Sequence, residues 1–266
     1  MKDAAEGQVT GNAAEFYEEF FVPALFLEWS GRVVEAARLE PGLKVLDVAC
    51  GTGVLARRAF ERVQPGGAVT GLDRNEGMLA VARREAPGIA WHSGRAEALP
   101  FGDGAFDAVV SQFGLMFFED QVKALREMWR VLRPGGRLAV AVWASLERFP
   151  GYAAMAALLE RLFGSQVAGA LKAPFLLGDP GILSGLFAKA DIPDVKIATP
   201  EGKARFPSVE SWVRTEIKGW TLADVLDDAQ YETLQRESQK DLAAYVQPDG
   251  SVEFAAPAHI ITAAKR

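Results

Sequence analysis

Cysteine is almost absent from this chain. Cys50 is the only one in 266 residues, which excludes an intrachain disulfide framework and any need for an oxidising compartment. Histidine is nearly as scarce, and His92, His259 and one thiol make too small a donor set for a structural zinc site, so no metal is expected. Basic residues are no excess either: 29 Lys and Arg against 35 Asp and Glu give a formal charge of −6, and no basic cluster offers a phosphate-tracking footprint, so no nucleic-acid partner is expected. Long apolar runs are missing too. None approaches the ~20 residues of a membrane span, and Met1 to Thr10 is polar and acidic rather than signal-like. The expectation is a cytoplasmic protein without stable membrane insertion, its oligomeric state open.

Apolar residues, at 49%, are enough for a full-sized core, and the length suits one domain with insertions. Phe16, Phe20, Leu25, Trp29, Val33 and Ala36 recur at helical spacing, predicting an N-terminal arm over residues 1–40 that Pro23 breaks in two. Beyond Pro41-Gly42, strand-like runs at Lys44 to Val48, Ala68 to Leu72, Ile89 to His92, Phe106 to Ser111 and Arg137 to Trp143 alternate with helical patterns at Val54 to Val63, Gly77 to Glu85 and Gln121 to Leu132. Such alternation predicts an α/β fold with a doubly wound, mostly parallel sheet whose core spans 41–145. Further helices are expected at Tyr152 to Phe163 and Pro180 to Ala190, within an insertion over about 146–190. Late sheet strands are expected at about 195–200 and 250–266, around a helical cap over 206–248 that carries Trp212, Val213, Ile217, Trp220 and Leu222.

The run Lys44-Val-Leu-Asp-Val-Ala-Cys-Gly-Thr-Gly-Val-Leu-Ala56 reads as strand, glycine turn and helix start, a place where backbone can approach a nucleotide-like ligand closely. Gly51-Thr-Gly53-Val-Leu-Ala56 fits the dinucleotide pattern as well, with Asp73 at the 20-residue distance of a ribose-binding carboxylate. The glycines alone do not choose the cofactor. Asp47, four residues before Gly51, favours the cationic part of a ligand over a pyrophosphate.

Val45-Leu-Asp-Val-Ala-Cys-Gly-Thr-Gly53 resembles motif I of the class I S-adenosylmethionine-dependent methyltransferases. The resemblance continues through Gly71-Leu-Asp-Arg-Asn-Glu-Gly-Met-Leu79, Gly94-Arg-Ala-Glu-Ala-Leu-Pro-Phe101, Phe106-Asp107 and Arg130-Val-Leu-Arg-Pro-Gly-Gly-Arg137. Residues 10 to 145 are covered, and the branch is the one holding ubiquinone and menaquinone biosynthesis methyltransferases. It implies a Rossmann-like seven-stranded sheet, S-adenosyl-L-methionine as cofactor and methyl transfer to a small, largely apolar or aromatic acceptor. By the same resemblance Gly51 and Gly53 hold the methionine moiety, Asp47 meets its amino group, Asp73 takes the ribose hydroxyls and Met78 packs on adenine, with Ala49, Arg74, Ala96 and Gln112 in the same cofactor site. Arg95 stands where the family commonly has an acidic residue, which leaves Glu97 as the nearest carboxylate for adenine; Arg95 could pair with Glu97 instead.

Phe16, Tyr17, Phe20, Trp29, Phe113 and Phe117 are the expected acceptor-pocket residues, with Met116 and Phe118 nearby. Methyl transfer from a sulfonium is an in-line displacement that a dry, aligning pocket accelerates without a dedicated base. Should a base be needed, Tyr17, His92 and Glu97 are the candidates, while His259 and Cys50 are bystanders. If arm and cap jointly define the acceptor pocket, deleting residues 1 to 30 should abolish turnover far more than folding. Two rivals share the pattern: a nicotinamide-dependent oxidoreductase, and a cofactor-binding or scaffold protein without turnover.

Overall fold

The computed structural model describes residues 11–218 and 226–266; Met1 to Thr10, Trp220 and Leu222 lie outside them. Strands β1 (Lys44–Val48), β2 (Ala68–Asp73), β3 (Ala90–Ser93), β4 (Phe106–Gln112) and β5 (Leu132–Trp143) run parallel. With β6 (Lys196–Ala198) and an antiparallel β9 (Ala258–Ala264) they form a seven-stranded sheet in the order β3-β2-β1-β4-β5-β9-β6. The strand order reverses between β1 and β4, so their carboxyl ends flank the crevice where open α/β sheets bind ligands.

Burial on both faces explains why these strands read as nearly continuous apolar runs. Alternate residues divide between two cores. Val45, Val69, Val110, Ala139 and Ala141 face the arm and α3 (Val54–Val63), while Leu46, Val48, Val109, Leu138 and Val140 face α5 (Gln121–Val131) and α8 (Pro180–Lys189). Caps fix the helices that border the crevice: Asn75 accepts from the Met78 amide at the start of α4 (Glu76–Glu85), and Asp120 from Lys123 in α5.

Pro23 does not break the arm. Helix α1 (Gly11–Phe16) continues through a π-helical stretch, Tyr17–Phe26, into α2 (Leu27–Ala36). The wider winding accommodates a residue that lacks an N–H and crowds the preceding turn. Phe21, Phe26 and Trp29 from this arm are core residues, so removing residues 1 to 30 strips the fold as well as the site.

Val252–Ala255, expected among the last strands of the main sheet, is instead β8 of a two-stranded ribbon with β7 (Lys203–Phe206). Glu253 on β8 accepts from Lys203 and Arg205 across this ribbon, and Ala204, Phe206, Val252 and Phe254 point inward. Around it pack α6 (Pro150–Phe163), α7 (Ser165–Lys172), α9 (Val209–Lys218) and α10 (Asp228–Asp241). No helix among the described residues is long and apolar enough to cross a membrane.

Candidate active site

A cavity of about 180 Å³ opens at the carboxyl ends of β1 and β4, beneath the arm. Its polar end is built by the first two βα turns. Ala49 and Gly51 adopt left-handed conformations, with φ of 59° and 54°, which turn the chain sharply out of β1 and present its backbone to the cavity. Gly51 then donates its amide to Asp73 Oδ2 at 2.8 Å, and the Asn75 amide donates to Oδ1 at 2.8 Å. Asp73 lines the cavity with its carboxylate fixed by these amides, and its remaining acceptor capacity is open to a ligand hydroxyl.

Asp47 is 1% exposed, and neither of its oxygens meets a hydrogen-bond donor. Burial pushes its carboxyl well above the usual carboxylate range, Asp73 pushes further, and the Ala56 amide offsets part of this without closing a full hydrogen bond. Asp73 is raised as well, by burial first, against the amides of Asn75, Gly51 and Arg74. Gln112, at the end of β4, gives its Nε2 to the Phe26 carbonyl at 3.1 Å and leaves Oε1 buried without a partner. This end of the cavity holds two carboxylates and an amide oxygen beside the buried, unpartnered Thr52 hydroxyl, so acceptors outnumber donors among these side chains and a cation with several N–H groups fits it. A pyrophosphate fits poorly: Asp47, Asp73 and Gln112 Oε1 present acceptors to it, and the Gly51 amide in the turn before α3 is committed to Asp73.

At its other end the cavity is aromatic. Phe113 and Trp143 stack with centroids 3.6 Å apart and 12° between planes, Phe26 lies 5.6 Å from Phe113, and Tyr17 stacks on Phe26 at 5.2 Å. Phe117 and Phe118 complete this wall. Phe113 itself has φ 56°, held there because Gly114 fits against Ala49, where a Cβ would approach to 2.6 Å. The ion pair of Glu18 with Arg57 at 2.6 Å ties the arm to α3 over this end.

Of the expected cofactor residues, Asp47, Ala49, Gly51, Asp73, Arg74, Met78, Ala96, Glu97 and Gln112 line this one cavity. Gly53 does not. It enters α3 with φ 91° beneath Trp91, whose ring a Cβ would meet at 2.5 Å, so it serves the turn and its packing. Arg95 pairs with Glu119 at 2.5 Å and lies 3.6 Å from Glu97. Glu97 Oε1 also accepts the Glu119 amide at 2.9 Å and that of Asp120 at 3.4 Å, so this carboxylate fastens the loop before α5.

The acceptor-side candidates divide. Tyr17, Phe113 and Phe117 face the cavity, but Trp29 is fully buried behind Phe113 and Trp143, edge-on to both, and is core. Phe16 and Phe20 pack on each other at 4.4 Å and under Arg214 of α9, away from the cavity. Phe26 and Trp143, absent from the expected set, belong to it. Among the proposed bases, His92 sits exposed on the edge strand β3 against Phe101, outside the site. Burial, with Glu18 and Asp73 adding to it, keeps the Tyr17 phenol protonated. His259 bonds Thr199 at 2.7 Å and the Gly178 carbonyl at 3.0 Å, a structural role. Cys50 does line the cavity, with burial pushing its thiol up and away from thiolate chemistry.

Comparison with known proteins agrees with this geometry. The family model described as a methyltransferase domain matches residues 46–140. The demethylmenaquinone methyltransferase of Thermus thermophilus is 39% identical over 189 residues, 70% of this chain and 77% of that protein. That of Listeria welshimeri is 40% identical over 133 residues, 48% of this chain, which spans only 56% of the Listeria protein. Among solved structures, Haemonchus contortus phosphoethanolamine N-methyltransferase 2, in complex with phosphomonomethylethanolamine and S-adenosylhomocysteine, shares the fold with a TM-score of 0.62 at 19% identity, over 96% of this chain and 57% of that one. An acid-lined, donor-poor pocket at the switch point of the sheet, a matching domain model and a relative covered over most of its length agree: the chain belongs to the S-adenosylmethionine-dependent methyltransferase family and takes S-adenosylmethionine as its cofactor.

Proposed function

We propose that the protein transfers a methyl group from S-adenosylmethionine to a small, apolar aromatic acceptor of the quinol type, in the cytoplasm. One observation carries this reading: a single cavity has an acidic, donor-poor end at Asp47, Asp73 and Gln112 and an aromatic end at Tyr17, Phe26, Phe113 and Trp143. The relatives described as demethylmenaquinone methyltransferases add weight to the acceptor class.

When bound, the cofactor supplies a methyl group activated by sulfonium charge. Asp47 and Asp73 would hold its cationic amino group and ribose at the acidic end, which would leave the aromatic wall to the acceptor. Because positive charge is lost in the displacement, an apolar wall that excludes water costs the transition state little and disfavours hydrolysis. The stacked Phe113 and Trp143 rings offer a flat face against which a planar acceptor aligns. Among the described residues, neither Tyr17, which stays protonated, nor Glu97, which is tied to the Glu119 and Asp120 amides, is placed to act as base. The acceptor proton then leaves to solvent, or the acceptor enters already ionised.

The test is thermal unfolding with S-adenosylmethionine, S-adenosylhomocysteine and NADH, followed by a turnover screen of demethylated quinols, catechols and amines. A ligand at ~100 times its dissociation constant adds about 2.7 kcal/mol of stability. Stabilisation by the adenosyl compounds with methylation of a quinol is expected; methylation confined to charged amines would overturn the acceptor class.

A further inference from the structure

We infer that Gln112 is a two-sided latch, its Oε1 receiving an N–H of the cofactor's ammonium group while its Nε2 holds the Phe26 carbonyl, so that cofactor binding tightens the arm over the acceptor space. The inference rests on the cofactor site described above and adds a positioning role that the chemistry of that site does not itself require.

Gln112 and Asp47 share one face of the sheet. Asp47 on β1 is in register with Val110 on β4, and Gln112 is two residues further on, about 6.6 Å nearer the carboxyl edge at the usual strand rise. Both line the cavity, and between them they present three buried acceptor atoms without donors: Asp47 Oδ1, Asp47 Oδ2 and Gln112 Oε1. An ammonium group carries three donors. A carboxamide is the side chain suited to the remaining task, because its other end donates, here to Phe26 at 3.1 Å.

Phe26 is a telling place for that bond. It is the last residue of the π-helical stretch, where the arm changes winding before Leu27 opens α2. Its ring packs on Phe113 at 5.6 Å and on Tyr17 at 5.2 Å, so fixing its carbonyl fixes the arm's contribution to the aromatic wall. The arm's other polar ties that the described residues show, Glu18 to Arg57, Glu15 to Arg84, Glu28 to the Lys203 amide and Arg32 to the Glu201 carbonyl, reach α3, α4 and the start of β7 rather than an atom facing the ligand. Among these ties only Gln112 has one end on the arm and the other in the ammonium pocket. A ligand that orders Oε1 orients Nε2 through the rigid amide plane, and the acceptor wall is set after the cofactor is in place.

Amide hydrogen exchange of arm residues 17–36, with and without saturating S-adenosylhomocysteine, tests this in the full chain alongside calorimetric binding. In the unsubstituted protein the ligand should slow arm exchange about tenfold, the equivalent of one hydrogen bond near 1.4 kcal/mol. Gln112→Glu keeps an acceptor for the ammonium but loses the donor to Phe26. It should bind the ligand within roughly threefold of the parent, lose the arm protection, and raise the acceptor KM while the cofactor KM stays put. Gln112→Leu lacks both ends and should lose both effects, with exchange in β1 and β4 reporting whether the core is intact. Arm protection unchanged in Gln112→Glu at saturating ligand overturns the latch alone. Failure of the parent to bind S-adenosylhomocysteine overturns the latch together with the cofactor site.

Discussion

Two buried carboxylates, one in each half of the molecule, have opposite meanings. Asp47 sits beside a cavity with both oxygens unpartnered, next to a second carboxylate and an unpartnered amide oxygen. Glu216 on α9, also 1% exposed, accepts the Tyr152 hydroxyl inside a box of Phe206, Trp212 and Phe254, away from the cavity. Burial pushes Glu216 up to about 8, while Tyr152 and Trp212 pull the other way, so it holds its proton at neutral pH. A buried acid facing a cavity calls for a ligand. One facing aromatic rings stays neutral and belongs to the packing.

The contrast can be broken most forcefully at Trp29, which the arm contributes to core rather than to pocket. Trp29→Ala should cost about 3–5 kcal/mol in urea unfolding; a variant of native stability that only raises the acceptor KM would return Trp29 to the pocket. Next in size, Asp47→Asn should weaken S-adenosylhomocysteine binding by about 2–3 kcal/mol in calorimetry, the loss of a charge-assisted contact, without lowering the melting temperature of the free protein. An equally large destabilisation would make Asp47 a structural residue.

Glu216 predicts a pH signature. The folded chain keeps this proton up to about pH 8, whereas an unfolded glutamic acid releases it near its ordinary value of 4.5. Its stabilising contribution is therefore fully present below about pH 4.5 and declines as pH rises towards 8, with a slope of at most about 1.4 kcal/mol per unit. Unfolding curves of the parent and of Glu216→Gln should diverge through that window, the parent falling faster; parallel curves would show that Glu216 is ionised in its box. The smallest effect is expected from Phe20→Ala, within about 1 kcal/mol of parental stability and with unchanged kcat, because this ring packs on Phe16 and under Arg214, away from the cavity.

The cofactor half was the more legible because its signals are local. Apolar runs bounded by Gly and Pro placed β1 to β4 within a residue or two, and α3 ended where its pattern did. That Asp47, Gly51 and Asp73 meet at one crevice could be expected from spacing and the family resemblance together, because a βα turn fixes the backbone that carries them. The arm misled for a physical reason: face assignment assumed 3.6 residues per turn, and the π-helical winding from Tyr17 shifts the phase, so Phe16 and Phe20 leave the face that Tyr17 and Phe26 occupy. Strand β7 escaped notice because it has four residues and its partner lies almost fifty residues on.

By itself, the sequence determined the parallel sheet, the glycine turn and the acidic residues beside it, since strand burial, helix capping and left-handed turns are set by residues close in the chain. Which aromatic rings meet the ligand was decided only in the tertiary structure. Phe26, Phe113 and Trp143 come from the arm, the turn after β4 and the end of β5, and their convergence depends on packing the arm against the sheet edge. The same packing brought the Gln112 amide to the Phe26 carbonyl across 86 positions of sequence, a pairing that no local pattern encodes.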